Sequence, residues 1–235
     1  APPSMVGFTS TFCAEPVASS ANLDHAARMD GIYGAQRHIY DLTRKYYLLG
    51  RDSLIRRLDI PPGKSALEIG CGTGRNIALA ARHYPGARLH GIDISREMLR
   101  SAHAVLAEEI ARGAVCLAQG DATDFDANGL FGERQFDRIW FSYTLSMIPD
   151  WQAALRQAAE YVAPGGVLHI VDFGQQRALP RWFRSGLHVW LARFHVTPRA
   201  RLIEACRQLA DTKGWLIEVE RPYRDYAWLV ALRRP

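Results

Sequence analysis

The residues best placed to do chemistry begin at Glu68. The run Ala66-Leu67-Glu68-Ile69-Gly70-Cys71-Gly72-Thr73-Gly74-Arg75-Asn76 carries a buried-strand pattern into three alternate glycines and then a helical pattern. Without Cβ atoms the backbone can turn sharply there and let a ligand come close. A dinucleotide loop of the form G-x-G-x-x-G would need glycine at Arg75. This chain instead has G-x-G-x-G with Glu68 two residues upstream. A carboxylate at that point repels a pyrophosphate and suits an ammonium group. Asp93, nineteen residues beyond Gly74 in Gly91-Ile92-Asp93-Ile94-Ser95, is placed to accept hydrogen bonds from ribose hydroxyls. Asp121, in Gly120-Asp121-Ala122, is a third acid at a strand end, where an adenine amine can be read. The plainer alternative is that Asp93 and Asp121 only cap loops.

Elements that could carry these residues are legible around them. Short apolar runs at Ala66–Ile69, Arg88–Ile94, Val115–Gln119, Arg138–Tyr143 and Val167–Phe173 read as strands. Alanine- and leucine-rich stretches at Asn76–His83, Arg96–Arg112 and Trp151–Val162 read as the helices between them. Alternation of this kind predicts an α/β fold: a doubly wound, Rossmann-like parallel sheet with helices on both faces. Ser95 and Asp150 are expected helix N-caps, and Pro164-Gly165-Gly166 is expected to stop a helix and turn into the next strand. Trp215–Glu220 and Tyr226–Leu232 lie too close together for a parallel crossover, so they predict an antiparallel hairpin. In open sheets of this type the ligand crevice lies at the carboxyl ends of the strands, where all three acids fall.

Composition sets the outer limits. With 235 residues, 48% of them hydrophobic and 23% charged, the chain has the make-up of one large globular domain. It has no apolar stretch long enough for a transmembrane helix. The four cysteines, Cys13, Cys71, Cys116 and Cys206, match neither a zinc pattern nor a secreted disulfide framework, so a reducing, cytoplasmic setting is expected. The eight histidines form no ligand cluster, and no metal is expected. His38 is the one histidine singled out as a candidate proton acceptor.

The glycine loop with its acidic prefix, Asp93, Asp121, the Phe136-Asp137 opening of the fourth strand, the Pro-Gly-Gly turn and the terminal hairpin together resemble the class I S-adenosylmethionine-dependent methyltransferases. The resemblance covers about Ser65 to Pro235. It implies a seven-stranded sheet with an antiparallel last strand, S-adenosyl-L-methionine as cofactor and S-adenosyl-L-homocysteine as product. It also implies cofactor contacts at Tyr40, Arg51, Glu68, Gly70, Cys71, Gly72, Gly74, Asp93, Ile94, Met98, Asp121, Ala122 and Ser142. Ser142 and Tyr143, at the end of the fourth strand, would face the sulfonium.

The segment before the glycine loop is rich in tyrosine. Tyr33, Tyr40 and Tyr47 recur every seven residues and would share one stripe of a helix. Their faces could surround a sulfonium or a methylated ammonium by cation–π attraction, or they could form a packing face. Met29-Asp30-Gly31-Ile32-Tyr33, Gln36-Arg37-His38-Ile39-Tyr40-Asp41, Arg44 to Asp52 and Leu145 to Trp151 resemble the N-methyltransferases of bacterial betaine-lipid synthesis. That resemblance implies trimethylation of the amine of diacylglyceryl-homoserine. Tyr33, Tyr40 and Tyr143 would then shape the acceptor pocket, with water as the final proton acceptor. Tyr40-Asp41 is also similar to the quinone-biosynthesis methyltransferases, in which an N-terminal helix closes over the cofactor. Phosphatidylethanolamine N-methylation and quinone or small-molecule methylation are the alternatives. A cofactor-binding module without turnover is a further one. Nucleic acid is not expected, since no Asn-Pro-Pro-Tyr-like motif is present.

Charge and domain boundaries complete the expectation. The formal net charge is +5. Between Gly174 and Arg207 there are seven arginines, no lysine and one acid, Glu204, so the rest of the chain is close to neutral. Within that stretch Phe183, Leu187, Trp190, Leu191 and Phe194 would share one face of a helix from Arg181 to His195, as in an interfacial helix. The alternative is a lid helix packed on its own domain. The expected organisation is a weakly structured leader at 1–28, a helical lid at 29–60, and a methyltransferase domain at 61–235 with a substrate or membrane insert at about 174–200. The expected setting is the cytoplasmic face of an anionic membrane, with the lipid substrate and the enzyme that makes the homoserine lipid as partners.

Overall fold

The computed structural model describes residues 48–194 and 196–235. Seven strands, β1 (Ser65–Ile69), β2 (Arg88–Asp93), β3 (Val115–Gln119), β4 (Phe136–Ser142), β5 (Val162–Phe173), β6 (Leu216–Glu220) and β7 (Ala227–Arg233), form one sheet. Their order is β3-β2-β1-β4-β5-β7-β6. β7 pairs antiparallel with both β5 and β6, and the other pairs are parallel. The helices are α1 (Arg51–Arg56), α2 (Arg75–His83), α3 (Arg96–Val105), α4 (Ala107–Ala111), α5 (Ala127–Phe131), α6 (Trp151–Glu160), α7 (Arg181–Ala192) and α8 (Leu202–Lys213). This is the doubly wound, Rossmann-like sheet that the sequence predicts.

Alternation along the strands sorts the core into two layers. Leu54, Ile55, Leu58, Ile77, Trp140 and Leu229 pack on one face of the sheet. Leu67, Phe136, Phe141, Leu155, Cys206 and Val230 pack on the other. Because both faces are covered, every residue of β1 is buried, which explains its unbroken apolar reading around Glu68. Ser95 Oγ accepts from the Met98 N–H at 3.2 Å, and Asp150 accepts from the Ala153 N–H at 3.1 Å, so both expected caps form.

Several boundaries differ from the expectation. The helix expected over Arg96–Arg112 breaks at Leu106, whose φ of −108° and ψ of 17° leave the helical region and seat its side chain fully in the core. Pro164-Gly165-Gly166 lies inside β5 instead of before it, because a register shift opposite Phe136 and Arg138 absorbs the turn. Between β6 and β7, Tyr223, Arg224 and Asp225 all take left-handed φ values of 57°, 59° and 65°. Asp225 holds that turn by accepting from Trp228 Nε1 through its carboxylate and from the Gln176 N–H through its carbonyl. Cys71 and Cys206 are buried free thiols.

The leader at 1–28, and Tyr33, His38, Tyr40 and Tyr47 of the expected lid, lie outside the described residues. The part of the lid that is described belongs to the core. Leu54, Ile55, Leu58 and Ile60 are buried, and α1 packs against α2 and β5.

The insert helix α7 also corrects a reading. Most of the face expected to meet a bilayer turns inward: Leu191 is buried, and Leu187, Trp190 and Phe194 rest on the core, while Phe183 stays exposed. The apolar residues left in solvent are chiefly Trp182 and Val189, on the opposite side of the helix. Periodicity alone cannot say which of two apolar stripes the domain covers. Among the described residues, no helix is long and apolar enough to cross a membrane.

Candidate functional site

The chain runs outward from β1 to β3 on one side and from β4 onward on the other, so the strand order reverses between β1 and β4. Loops leaving neighbouring strands diverge at such a point and open a crevice. Here the crevice is an open cleft that takes in about 700 Å³ with the solvent at its mouth included. Gly70 and Gly72 line it from the exit of β1, and Ile92, Asp93 and Ile94 from the end of β2. Gly120, Asp121 and Ala122 follow β3, Tyr143, Thr144, Met147 and Ile148 follow β4, and Met98 contributes from α3.

Asp93 organises the glycine loop. Its Oδ2 accepts from the Gly72 N–H at 2.8 Å and its Oδ1 from the Ser95 N–H at 2.9 Å. The Gly70 and Cys71 N–H groups both donate to the Ile92 carbonyl, at 2.8 and 2.9 Å. One carboxylate therefore locks the loop to β2. Asp121 Oδ1 accepts from the Thr123 N–H and hydroxyl at 2.8 and 2.7 Å. Both acids cap loops, as the plainer reading holds, and both also line the cleft.

Glu68 sits beneath the loop, fully buried. Its Oε1 accepts from Asn76 Nδ2 at 2.7 Å. Its Oε2 meets no donor in good hydrogen-bond geometry. Burial pushes its pKa up to about 8, against the lowering influence of Asn76, of the Trp140 indole N–H and of the Arg51 guanidinium. Register explains the neighbours: Gly91, Glu68, Trp140 and His169 are successive partners across β2, β1, β4 and β5, so they share one face. Trp140 Nε1 and His169 Nε2 are likewise buried without a hydrogen bond. The sheet thus carries a buried polar row that ends under the cofactor loop.

Other expected residues fall into distinct places. Arg51 is buried at the start of α1, with Nε 3.9 Å from Asp52 Oδ1. It acts on Glu68 through its charge and does not line the cleft. Asp52 in turn pairs with both terminal nitrogens of Arg75, at 2.7 and 3.2 Å, tying α1 to the helix that follows the glycine loop. Cys71 points into the core, where burial pushes its thiol pKa up. Gly74 serves helix packing, because a Cβ there would stand 2.8 Å from Leu106 Cδ1 and 3.1 Å from the Ala102 Cβ. Ser142 is buried, and its hydroxyl makes no hydrogen bond.

Tyr143 lines the cleft, but its hydroxyl donates to the Leu49 carbonyl. Its ring meets Phe173 edge-on at 4.6 Å, and burial pushes its pKa well up. Its φ of 58° is left-handed, which breaks the alternation of β4 at the exit and lays Thr144 over the glycine loop. A Cβ on Gly70 would lie 2.2 Å from Thr144 Cγ2. Thr144, Met147, Ile148, Gly120 and Ile92 are cleft residues that sequence reasoning did not assign. Their signals were adjacency to the ends of β2, β3 and β4 and, for Met147 and Ile148, a place in the Leu145–Trp151 resemblance.

The far wall of the cleft is apolar. Met98 and Met147 line it, and Phe194 packs against Met98. Trp190 meets Phe194 edge-on at 4.9 Å. The end of α7 thus packs behind the cleft wall through Trp190 and Phe194.

A methyltransferase-domain family model matches residues 67–168. The chain is 34% identical over 181 residues to a demethylmenaquinone methyltransferase of Mycobacterium marinum, covering 69% of this chain and 71% of that one. It is 28% identical over 152 residues to the demethylmenaquinone methyltransferase of a Geobacillus strain, covering 64% and 59%. A solved structure of Haemonchus contortus phosphoethanolamine N-methyltransferase 2 with S-adenosyl-L-methionine shares the fold at a TM-score of 0.63 and 19% identity. The match covers 79% of this chain and 52% of that one.

The chain belongs to the class I S-adenosylmethionine-dependent methyltransferases. It spans 42–54% of the length of several other curated relatives, among them the methyltransferase GfsG of Streptomyces halstedii.

The donor set fits the family's cofactor. A buried carboxyl with one oxygen lacking a good donor lies under the loop, and a carboxylate that lines the cleft ends β2. A second such carboxylate ends β3, at the far side of the cleft from β4.

Proposed function

We propose that this chain is an enzyme that transfers the methyl group of S-adenosylmethionine to a small acceptor carried on an apolar molecule, a prenylated quinol first of all. The observation that carries this reading is a cleft lined both by carboxylates, Asp93 and Asp121, and by an apolar surface of Met98, Met147 and Ile148. The names of the demethylmenaquinone methyltransferase relatives agree with it.

The residues divide the work as follows. Glu68 and the loop amides take the amino-acid end of the cofactor, Asp93 takes the ribose hydroxyls, and Asp121 with Ala122 takes the adenine edge. The bound cofactor supplies a methyl carbon activated by its sulfonium. Thr144 and the Tyr143 ring set the line of approach from the acceptor side. An in-line displacement of this kind draws most of its rate from orientation and exclusion of water, so the absence of a triad among the described residues costs the reading nothing. The acceptor loses a proton as its bond to the methyl carbon forms. Tyr143 is poorly suited to take that proton, because its hydroxyl is already committed to Leu49.

A second reading is trimethylation of the diacylglyceryl-homoserine amine. It is favoured by the resemblance at Gln36–Asp41, Arg44–Asp52 and Leu145–Trp151, where Ile148 and Met147 stand on the cleft wall. Labelled S-adenosylmethionine offered with a demethylated prenyl-naphthoquinol, the unmethylated homoserine lipid or phosphatidylethanolamine separates the readings. Label in the quinol supports the first, and label in either amine overturns it. Cofactor binding without label in any acceptor refutes both.

A further inference from the structure

The outer face of α7 is not used by the cleft. We propose that it docks the protein on an anionic lipid bilayer, with Trp182 and Val189 entering the interface and Arg181 and Arg193 meeting the headgroups. Trp182 and Val189 are seven residues apart, so they stand one above the other on the helix. They are 77% and 65% exposed. An exposed tryptophan of that degree is uncommon on a folded domain, whereas tryptophan is enriched at membrane–water interfaces.

Charge selects the occupant. Arg177, Arg181 and Arg193 are exposed around the apolar pair. Among the described residues none of these three, nor Arg184, forms an ion pair. The arginines further along are engaged: Arg199 with the Leu145 and Ile148 carbonyls, and Arg201 with Glu204. No acid lies between Gly174 and Ala200. A face with aromatic and β-branched apolar residues inside an arginine-rich rim, in which the Asp225 carboxylate beside the Arg177 N–H is the acid the fold brings near, is complementary to phosphate headgroups over hydrocarbon. It is poorly matched to a second copy of itself, since a two-fold contact would bring arginine against arginine. The opposite face of the same helix packs behind the cleft wall, Trp190 against Phe194 and Phe194 against Met98, so docking here would set the cleft near the bilayer that holds an apolar acceptor.

The test needs neither turnover nor cofactor, so it stands or falls apart from the proposed activity. Full-length protein is floated with phosphatidylcholine vesicles with and without phosphatidylglycerol. The expected result is binding to the anionic vesicles only. Replacing Trp182 and Val189 together by serine should weaken partitioning at least about tenfold, from the loss of two apolar insertions. Arg181→Gln with Arg193→Gln should cost a similar factor, at about fivefold or more per charge, and flatten the salt dependence. The thermal unfolding midpoint should be unchanged in both variants, which shows that they are folded.

Equal binding by the serine variant and the wild type overturns the proposal, as does indifference to lipid charge. Sedimentation that shows a dimer lost in the serine variant assigns the face to a second copy and also overturns it. So does cross-linking from Val189→Cys to residues 1–47 in the absence of vesicles.

Discussion

Glu68→Gln tests the physics of the buried carboxyl most directly. A rise in pKa from an ordinary 4.5 to about 8 corresponds, at about 1.4 kcal/mol per pKa unit, to a cost of about 5 kcal/mol for ionising the side chain in the folded protein. The sign follows from where protons bind. Below pH 4.5 both folded and unfolded chains hold the proton, and the contribution to stability is intact. As pH rises from 4.5 toward 8 the unfolded chain gives up its proton while the folded chain keeps it. Stability then falls by about 1.4 kcal/mol per pH unit, and the loss is complete above the folded pKa.

Glutamine carries no such proton. Its oxygen can face the Trp140 N–H, and its amide can donate to Asn76 Oδ1, which has no partner in the native protein. The variant is therefore expected to gain on the wild type by about 3 kcal/mol near neutral pH and by about 5 kcal/mol near pH 9. Urea unfolding of both proteins across that range reads the difference. Asp172, His90 and His169 also titrate abnormally, but they are common to both chains and cancel in the comparison. Parallel stability curves for wild type and variant would refute the reasoning.

Two further variants probe the loop. Asp93→Asn leaves one oxygen for the two N–H groups of Gly72 and Ser95, and losing a charge-assisted bond worth about 1.5–3 kcal/mol should weaken S-adenosylmethionine binding about 10- to 100-fold by calorimetry. Unchanged affinity would mean that Asp93 only caps β2. Gly70→Ala meets both a left-handed φ of 74° and Thr144 Cγ2 at 2.2 Å, so it should destabilise by about 2–4 kcal/mol. Adding Thr144→Ala should restore the steric share of that loss but not the backbone share of about 1–2 kcal/mol. Full recovery in the double variant would show that φ carries no penalty there.

Most of the fold was legible because the burial of a doubly wound sheet writes itself into the sequence. β1, β2, β3 and the hairpin were readable as apolar runs between helical patterns, and the cofactor half of the cleft fell at their carboxyl ends, where Gly70, Gly72, Asp93, Ile94, Asp121 and Ala122 stand. The acceptor half was harder to read. It depends on the left-handed Tyr143, which carries no glycine to announce it, and on which stripe of α7 the domain covers.

What the amino-acid sequence determined by itself is local: strand and helix periods, the turn chemistry of the glycine loop, the caps at Ser95 and Asp150, and the type of group at each strand end. Tertiary structure decided what depends on residues far apart in the chain. Glu68 is held protonated by burial beneath the loop, against the pull of Asn76, Trp140 and Arg51 from distant parts of the chain, and Gly74 is required by Ala102 and Leu106 more than by a ligand. Tyr143 spends its hydroxyl on Leu49, and α7 turns Trp190 and Phe194 inward while leaving Trp182 and Val189 in solvent. Periodicity fixes which side chains share a face. Only packing against the rest of the chain fixes what that face meets, because burial and its electrostatic cost belong to the assembled environment and not to any one segment.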